Sequence, residues 1–372
     1  LAGIVVIGMM ASCANDGAIQ TKKAEPATIT IALKGNSETT KTAADLNKDG
    51  QINRIAVGLF DADNNLVSIT EPAFTVSSSS GNLTANVTGT TLVTKVAAVA
   101  NAPAGAFSSV KTLDAFHKVA IDISNTSTSD GGTTADGTKQ YESDLPMEGD
   151  GTVTDASTGT GAATFSLTRL VSKIELDDIT VAFDANGAYS NSKFVPTDIF
   201  MYNAAETTYA NYASPYVADP TLLQGQDGST GVTTYLGSGP LSLTQATSYP
   251  TVYTFFTMPI MPSKNTNTTS KTKLIIEGTF TDNSGATSTV YYPIIINHVM
   301  AGTYSDAGTT TAYTQQGTED GLIAPNTYYK LMATIKTKGV SNVTDELTSA
   351  AITLTVTVNP WPTALTQNVV FN

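Results

Sequence analysis

Arg54-Ile55-Ala56-Val57-Gly58-Leu59-Phe60 and Leu66-Val67-Ser68-Ile69 stand on either side of Asp61-Ala62-Asp63-Asn64-Asn65. Branched and aromatic side chains dominate both arms, and such residues pack well on a pleated surface. The residues between them are mostly Asp and Asn, which bond to their own backbone and favour chain reversal. The stretch reads as a β-hairpin, and the same pattern recurs on both sides of it. Strands are predicted at Thr28–Leu33, Thr94–Ala100, Ala163–Leu167 and Ser172–Phe183, then at Thr251–Thr257, Lys273–Phe280, Ser288–Asn297, Tyr328–Thr337 and Ala351–Val358. Helical periodicity is scarce, and Lys111–Val119 is the best short-helix candidate. The fold class is therefore all-β. The chain's 372 residues suggest about two domains. The polar stretches Asn125–Gly137 and Gly149–Gly161 read as loops, and a boundary falls near residue 168. No fixed-period repeat is visible.

Composition narrows the function. Formal net charge is −13, and only two of the 19 basic residues are Arg, Arg54 and Arg169. A nucleic-acid partner is excluded, because nothing resembles the basic stripe that neutralises phosphates. A hydrophobic fraction of 41% supports a real core rather than a disordered acidic chain. One Cys and two His leave no disulfide framework and too few ligands for an ordinary structural zinc site.

The N-terminal run Leu1–Ser12, LAGIVVIGMMAS, is apolar, short and ends in small residues, like the h-region of a secretory signal. Cys13 follows at once in Met10-Ala11-Ser12-Cys13 and resembles a bacterial lipobox, which makes Cys13 the expected lipidation site. A buried apolar segment with a stray Cys is the plainer alternative. Ala14–Glu25 then reads as a tether. Export of this kind argues against a cytosolic cofactor enzyme, and no cofactor is assigned.

Catalytic signals are weak. His117 and His298 are far apart in sequence, and no G-x-S-x-G elbow occurs. Asp177-Asp178 are neighbours on a strand, so they point to opposite faces and make a poor glycosidase pair. Asp45, Asn47, Asp49 and Gly50 fit the first half of a calcium loop, but Ala56 stands where its bidentate acid belongs. A polar turn is the competing reading. Tyr202, Tyr209, Tyr212 and Tyr216 cluster with Asn203 and Asn211; exposed they would stack sugars, packed they would cover a domain face.

The ends carry the remaining signal. In Ala27–Leu33 the residues Ile29, Ile31 and Leu33 share one face, and the polar segment Lys34–Asp49 behind them holds Lys34, Lys41 and Lys48. A strand joined by a cuttable loop is removable. Its loss would leave unpaired backbone groups lining an apolar groove, which is costly until another strand fills it. Ile352–Val358 alternates, and the tail Gln367–Asn372 carries Val369, Val370 and Phe371 as a candidate filler. Strand addition of this kind, used head to tail, gives a filament. An ordinary edge strand with a frayed tail is the alternative.

Several motifs follow one another along the chain: Thr42-Ala43-Ala44-Asp45-Leu46, Ile52-Asn53-Arg54-Ile55-Ala56-Val57, Leu145-Pro146-Met147-Glu148-Gly149 and Leu167-Thr168-Arg169-Leu170-Val171-Ser172-Lys173-Ile174. Phe194-Val195-Pro196, Tyr291-Tyr292-Pro293-Ile294, Asn326-Thr327-Tyr328-Tyr329-Lys330-Leu331 and Asn359-Pro360-Trp361 complete the series. Taken in order, they resemble the FimA-type fimbrillins, the major subunits of the type V pili of Bacteroidales. In that register the Leu145–Gly149 motif matches a family turn. The maturation cut falls after Lys41, where the family usually has Arg, with Arg54 as a fallback.

The resemblance implies two transthyretin-like β-sandwich domains in tandem, residues 42–168 and 169–372, behind a partial signal peptide (1–12) and a lipidated propeptide (13–41). It implies an outer-membrane lipoprotein precursor, cleavage by a trypsin-like protease, and a cell-surface fimbrium in which one subunit's C-terminal strand fills the next subunit's groove. The implied partners are other copies of the chain, accessory fimbrial subunits and host surface ligands. A structural pilin, not an enzyme, is the expectation. An anchor, tip or accessory subunit, or a glycan-binding surface lipoprotein, stands as the alternative.

Overall fold

The structure is a computed structural model that describes residues 24–34, 52–73, 75–76, 83–126, 140, 144–261, 271–298, 321–347 and 352–360. It is all-β. The first ten strands are β1 (Pro26–Lys34), β2 (Ile55–Phe60), β3 (Leu66–Thr70), β4 (Thr75–Val76), β5 (Leu83–Thr90), β6 (Lys95–Ala100), β7 (Ala120–Asp122), β8 (Met147–Thr152), β9 (Thr160–Ser166) and β10 (Thr168–Arg169). One sheet has the order β4-β5-β1-β9, and a second has β10-β8-β6-β2-β3. Ile29, Ile31 and Val87 from the first sheet share a core with Val57, Leu59, Val96 and Ala98 from the second.

The central strands of the second sheet, β2 and β6, are buried on both faces. In β2, Ile55, Val57 and Leu59 enter that core, while Ala56 and Phe60 enter another core on the opposite side. β6 divides in the same way, with Val96, Ala98 and Ala100 on one face and Ala97 and Val99 on the other. This accounts for their unbroken apolar runs, since alternation disappears when both faces are covered. The outer face lies under α1 (Leu113–His117), where Phe116 stacks on Phe107 at 4.4 Å and meets Phe60 edge-on at 5.8 Å. The Thr112 hydroxyl caps α1 by accepting from Ala115 N–H at 3.1 Å.

The later strands are β11 (Ser172–Val181), β12 (Lys193–Ala205), β13 (Thr207–Tyr209), β14 (Leu222–Gln224), β15 (Ser248–Tyr249), β16 (Tyr253–Thr257), β17 (Lys273–Thr281), β18 (Thr287–Ile295), β19 (Thr327–Ile335) and β20 (Ile352–Pro360). One sheet runs β15-β11-β19-β20, with β16 also paired to β11, and the other runs β14-β12-β17-β18. Ile174, Leu176, Leu331, Ile199, Leu274 and Tyr292 form the core between them, and that core continues to Phe60 and Phe116. The two halves are also joined by backbone pairing of β7 with β13.

Five sequence expectations change. Gly149–Gly161 is not one loop, because its ends belong to β8 and β9. For the same reason Met147-Glu148-Gly149, expected in a turn, opens a strand. Its glycines hide it from propensity rules, yet Gly149 is required: a Cβ there would stand 2.1 Å from the Ser166 carbonyl oxygen. The thirteen-residue β12 was not expected, because Pro196 argues against an interior strand. The register slips between Pro196 and Asp198, and that bulge accommodates the proline. The helix is shorter than Lys111–Val119, and β5 is a strand that its Asn and Gly content concealed.

Candidate functional site: the first strand and its seat

β1 is an interior strand. It pairs antiparallel with β5, from Pro26 opposite Thr90 to Leu33 opposite Leu83. On its other side it pairs parallel with β9, from Thr28 opposite Thr160 to Lys34 opposite Ser166. Ile29 and Ile31 are fully buried, while Thr28 and Thr30 face solvent. Burying each isoleucine contributes about 1.5–3 kcal/mol. Thr30 Oγ1 donates to Asn86 Oδ1 at 3.0 Å, and Thr91 N–H donates to the Glu25 carbonyl at 2.8 Å.

The seat is shaped by glycine. Gly161 lies opposite Ile29, and a Cβ there would come within 2.8 Å of Ile29 Cδ1. The missing side chain lets Ile29 fill the space between β1 and β9. Without β1, the facing edges of β5 and β9 would be left unpaired, about 10 Å apart at two strand spacings. The next strand, β2, lies in the other sheet, so the covalent path from β1 runs through residues 35–54. At the far end of the chain, β20 pairs with β19 along Ile352–Ile335 to Pro360–Thr327 and ends its sheet.

A family model described as the major fimbrial subunit protein (FimA) matches residues 27–244, more than half of the chain. The chain belongs to this FimA family. The crystal structure of a fimbrilin (FimA) from Porphyromonas gingivalis aligns over 92% of this chain and 98% of its own, at 16% identity and a TM-score of 0.59. A candidate cell adhesion protein from Bacteroides eggerthii aligns over 91% and 96%, at 21% identity and a TM-score of 0.61. At these identities the likeness is one of fold. No curated protein matches the chain. As a FimA-family fimbrial subunit, the chain is a component of a cell-surface appendage that assembles with other subunits.

Of the residues singled out in this FimA-family chain, Ile29, Ile31 and Leu33 lie on β1 as expected from their alternation. Cys13, Lys41, Asp45, Asn47, Asp49, Val369, Val370 and Phe371 lie outside the described residues. The tyrosines form no exposed platform. Tyr212 is exposed, whereas Tyr202, Tyr209 and Tyr216 are half-buried, and Tyr202 has Lys273 Nζ 6.0 Å from its ring centre. Arg54 is engaged: its guanidinium donates to the carbonyls of Ala102 and Asn101 and pairs with Asp144 at 3.3 Å. His298 follows the end of β18, while His117 ends α1 beside Glu148 and Asp150. Spacing gave no hint of that cluster, since about thirty residues separate the histidine from the acids.

Proposed function

We propose that the chain is a shaft subunit that polymerises by strand exchange once β1 has been removed. The observation that carries this reading is the position of β1, an interior strand tied to the next strand through a separate segment that contains Lys41 and Lys48. Interior pairing on both sides keeps the precursor from offering β5 and β9 to neighbouring chains. A cut after Lys41 would break the covalent link while leaving the hydrogen bonds. An incoming strand could then replace β1 with main-chain bonds of the same kind, its apolar side chains taking the Ile29 and Ile31 sites. β20 and the tail containing Val369, Val370 and Phe371 are the donor.

In this reading residues 1–12 are a signal peptide and 13–41 a propeptide lipidated at Cys13. Residues 42–168 and 169–372 are two transthyretin-like domains. The precursor is an outer-membrane lipoprotein, a trypsin-like protease matures it, and the protein is not an enzyme. Accessory fimbrial subunits and host surface ligands are its further partners.

Brief trypsin treatment of purified precursor, read by intact mass and negative-stain microscopy, tests the proposal. A product starting at Thr42, with filaments only after cleavage and none after deletion of Gln367–Asn372, is expected. A protein that is cut at Lys41 yet stays monomeric, or that polymerises without its tail, would overturn it.

A further inference from the structure

We infer that His117, Glu148 and Asp150 form a site for one divalent transition-metal ion of the zinc class, with water completing its coordination. This inference stands apart from the fimbrial reading. Strand periodicity places Glu148 and Asp150 on the same face of β8, while Met147, Gly149 and Gly151 face the other way. The α1 helix covers the first face and ends on His117. His117 Nε2 lies 3.0 Å from Asp150 Oδ2 and 3.9 Å from Glu148 Oε1, and the three ligand atoms lie within 4.8 Å of one another. A tetrahedral zinc ion, with bonds of about 2.0–2.2 Å, needs its ligands about 3.3–3.5 Å apart. The observed separations bracket that spacing.

Glu148 is the buried member of the three. It is only 5% exposed, and its Oε2 accepts from Tyr212 N–H at 2.8 Å. Its Oε1 turns toward His117 at a distance too long for a hydrogen bond. This buried carboxylate sits beside a second carboxylate, and the His117 imidazole is the one basic group among the three. Burial pushes Glu148 up to about 7, and the Asp150 charge adds to the push. The hydrogen bond and charge of Asp150 raise His117 against the opposing effect of its own burial. The donor set favours a transition metal, because calcium and magnesium take six or more oxygens whereas imidazole suits zinc and its neighbours. Through Tyr212 the ion would also brace β8 against the segment after β13.

The test uses the full, tag-free chain, first treated with a chelator and then titrated with zinc chloride in calorimetry and thermal melts. Expected are one equivalent bound, a rise in Tm, and at least a tenfold loss of affinity in each of His117→Ala and Asp150→Asn. Calcium and magnesium should leave Tm unchanged. Zinc should also protect His117, but not His298, of the unmutated chain from diethyl pyrocarbonate, read by peptide mass spectrometry. That readout decides the matter if a variant does not fold. No saturable zinc binding, equal binding by folded variants, no selective protection of His117, or binding of calcium in place of zinc would overturn the inference.

Discussion

The side-chain amide of Gln140 satisfies both main-chain polar groups of Phe256: it donates to the carbonyl at 3.0 Å and accepts from the N–H at 2.6 Å. Phe256 lies on β16, whose other edge pairs with β11. The Gln140 side chain therefore serves as one rung along that edge of β16, and it is fully buried. Its amide also donates to Thr126 Oγ1 at 3.1 Å.

Gln140→Ala would remove both of these hydrogen bonds to the Phe256 main chain. A typical hydrogen bond contributes about 0.5–1.5 kcal/mol, so we expect a loss of roughly 1–3 kcal/mol in urea denaturation. Gln140→Glu keeps the acceptor but sets a carboxylate against the Phe256 carbonyl. It should be worse at neutral pH than at acid pH, where a protonated carboxyl donates again.

Ile29 and Gly161 should be coupled. Ile29→Ala is expected to cost about 2–4 kcal/mol through lost burial and the cavity it leaves. Gly161→Ala should also destabilise the uncut chain, because its new methyl meets Ile29 Cδ1. In the double variant the alanine at 29 removes that clash, so the combined loss should fall short of the sum by about 0.5–3 kcal/mol. Strict additivity in a denaturation cycle would show that the two do not share this space.

Arg54 should resist proteolysis in the folded chain. A trypsin-like enzyme must extract the arginine side chain, and here it is held by Ala102, Asn101, Asn125 and Asp144. Limited digestion followed by N-terminal sequencing should find no product beginning at Ile55. Arg54→Ala should lower stability by about 1.5–3 kcal/mol, the range for hydrogen bonds to a charged group.

Asp198 gives a pH dependence of definite sign. Burial pushes its carboxyl up to about 6, against the Asp227 N–H and Ser238 hydroxyl that hydrogen-bond to it, and the Glu277 and Asp227 charges add to the rise. The folded value lies above the unfolded one near 4, so the folded chain binds the proton more tightly. This contribution to stability is full below pH about 4 and is lost as pH rises through about 6. Asp198→Asn should flatten that part of the profile and raise stability at pH 7.5 by about 1–3 kcal/mol relative to its effect at pH 4. A difference that is the same at both pH values would contradict this.

The hairpin of β2 and β3 was legible because everything that makes it is local. Asp61 Oδ1 accepts from the N–H groups of Asp63 and Asn65 at 2.9 and 2.8 Å, as its place in a polar turn suggests. Strands such as β11, β17 and β19 were legible for a similar reason, since their branched and aromatic residues declare a pleated surface. β8 and β12 were not. Gly149 and Pro196 weaken the local signal, and both are explained by neighbours remote in sequence, the Ser166 carbonyl and a bulge opposite Gly278 and Glu277.

The sequence by itself determined the all-β class, most strand positions, the alternation of Ile29, Ile31 and Leu33, and the ordered motifs that point to the FimA family. Those depend on residue type and on a period of two, both properties of short segments. Only the tertiary structure decided that β1 stands between β5 and β9, that β6 and β2 are covered on both faces, and that His117 meets Glu148 and Asp150. Strand pairing fixes which distant segments share hydrogen bonds, and neither partner of a pair carries the register in its own residues. The physical reason is that a main-chain N–H or C=O is the same in every strand. Which partner it meets is chosen by how the whole set of apolar faces is buried together.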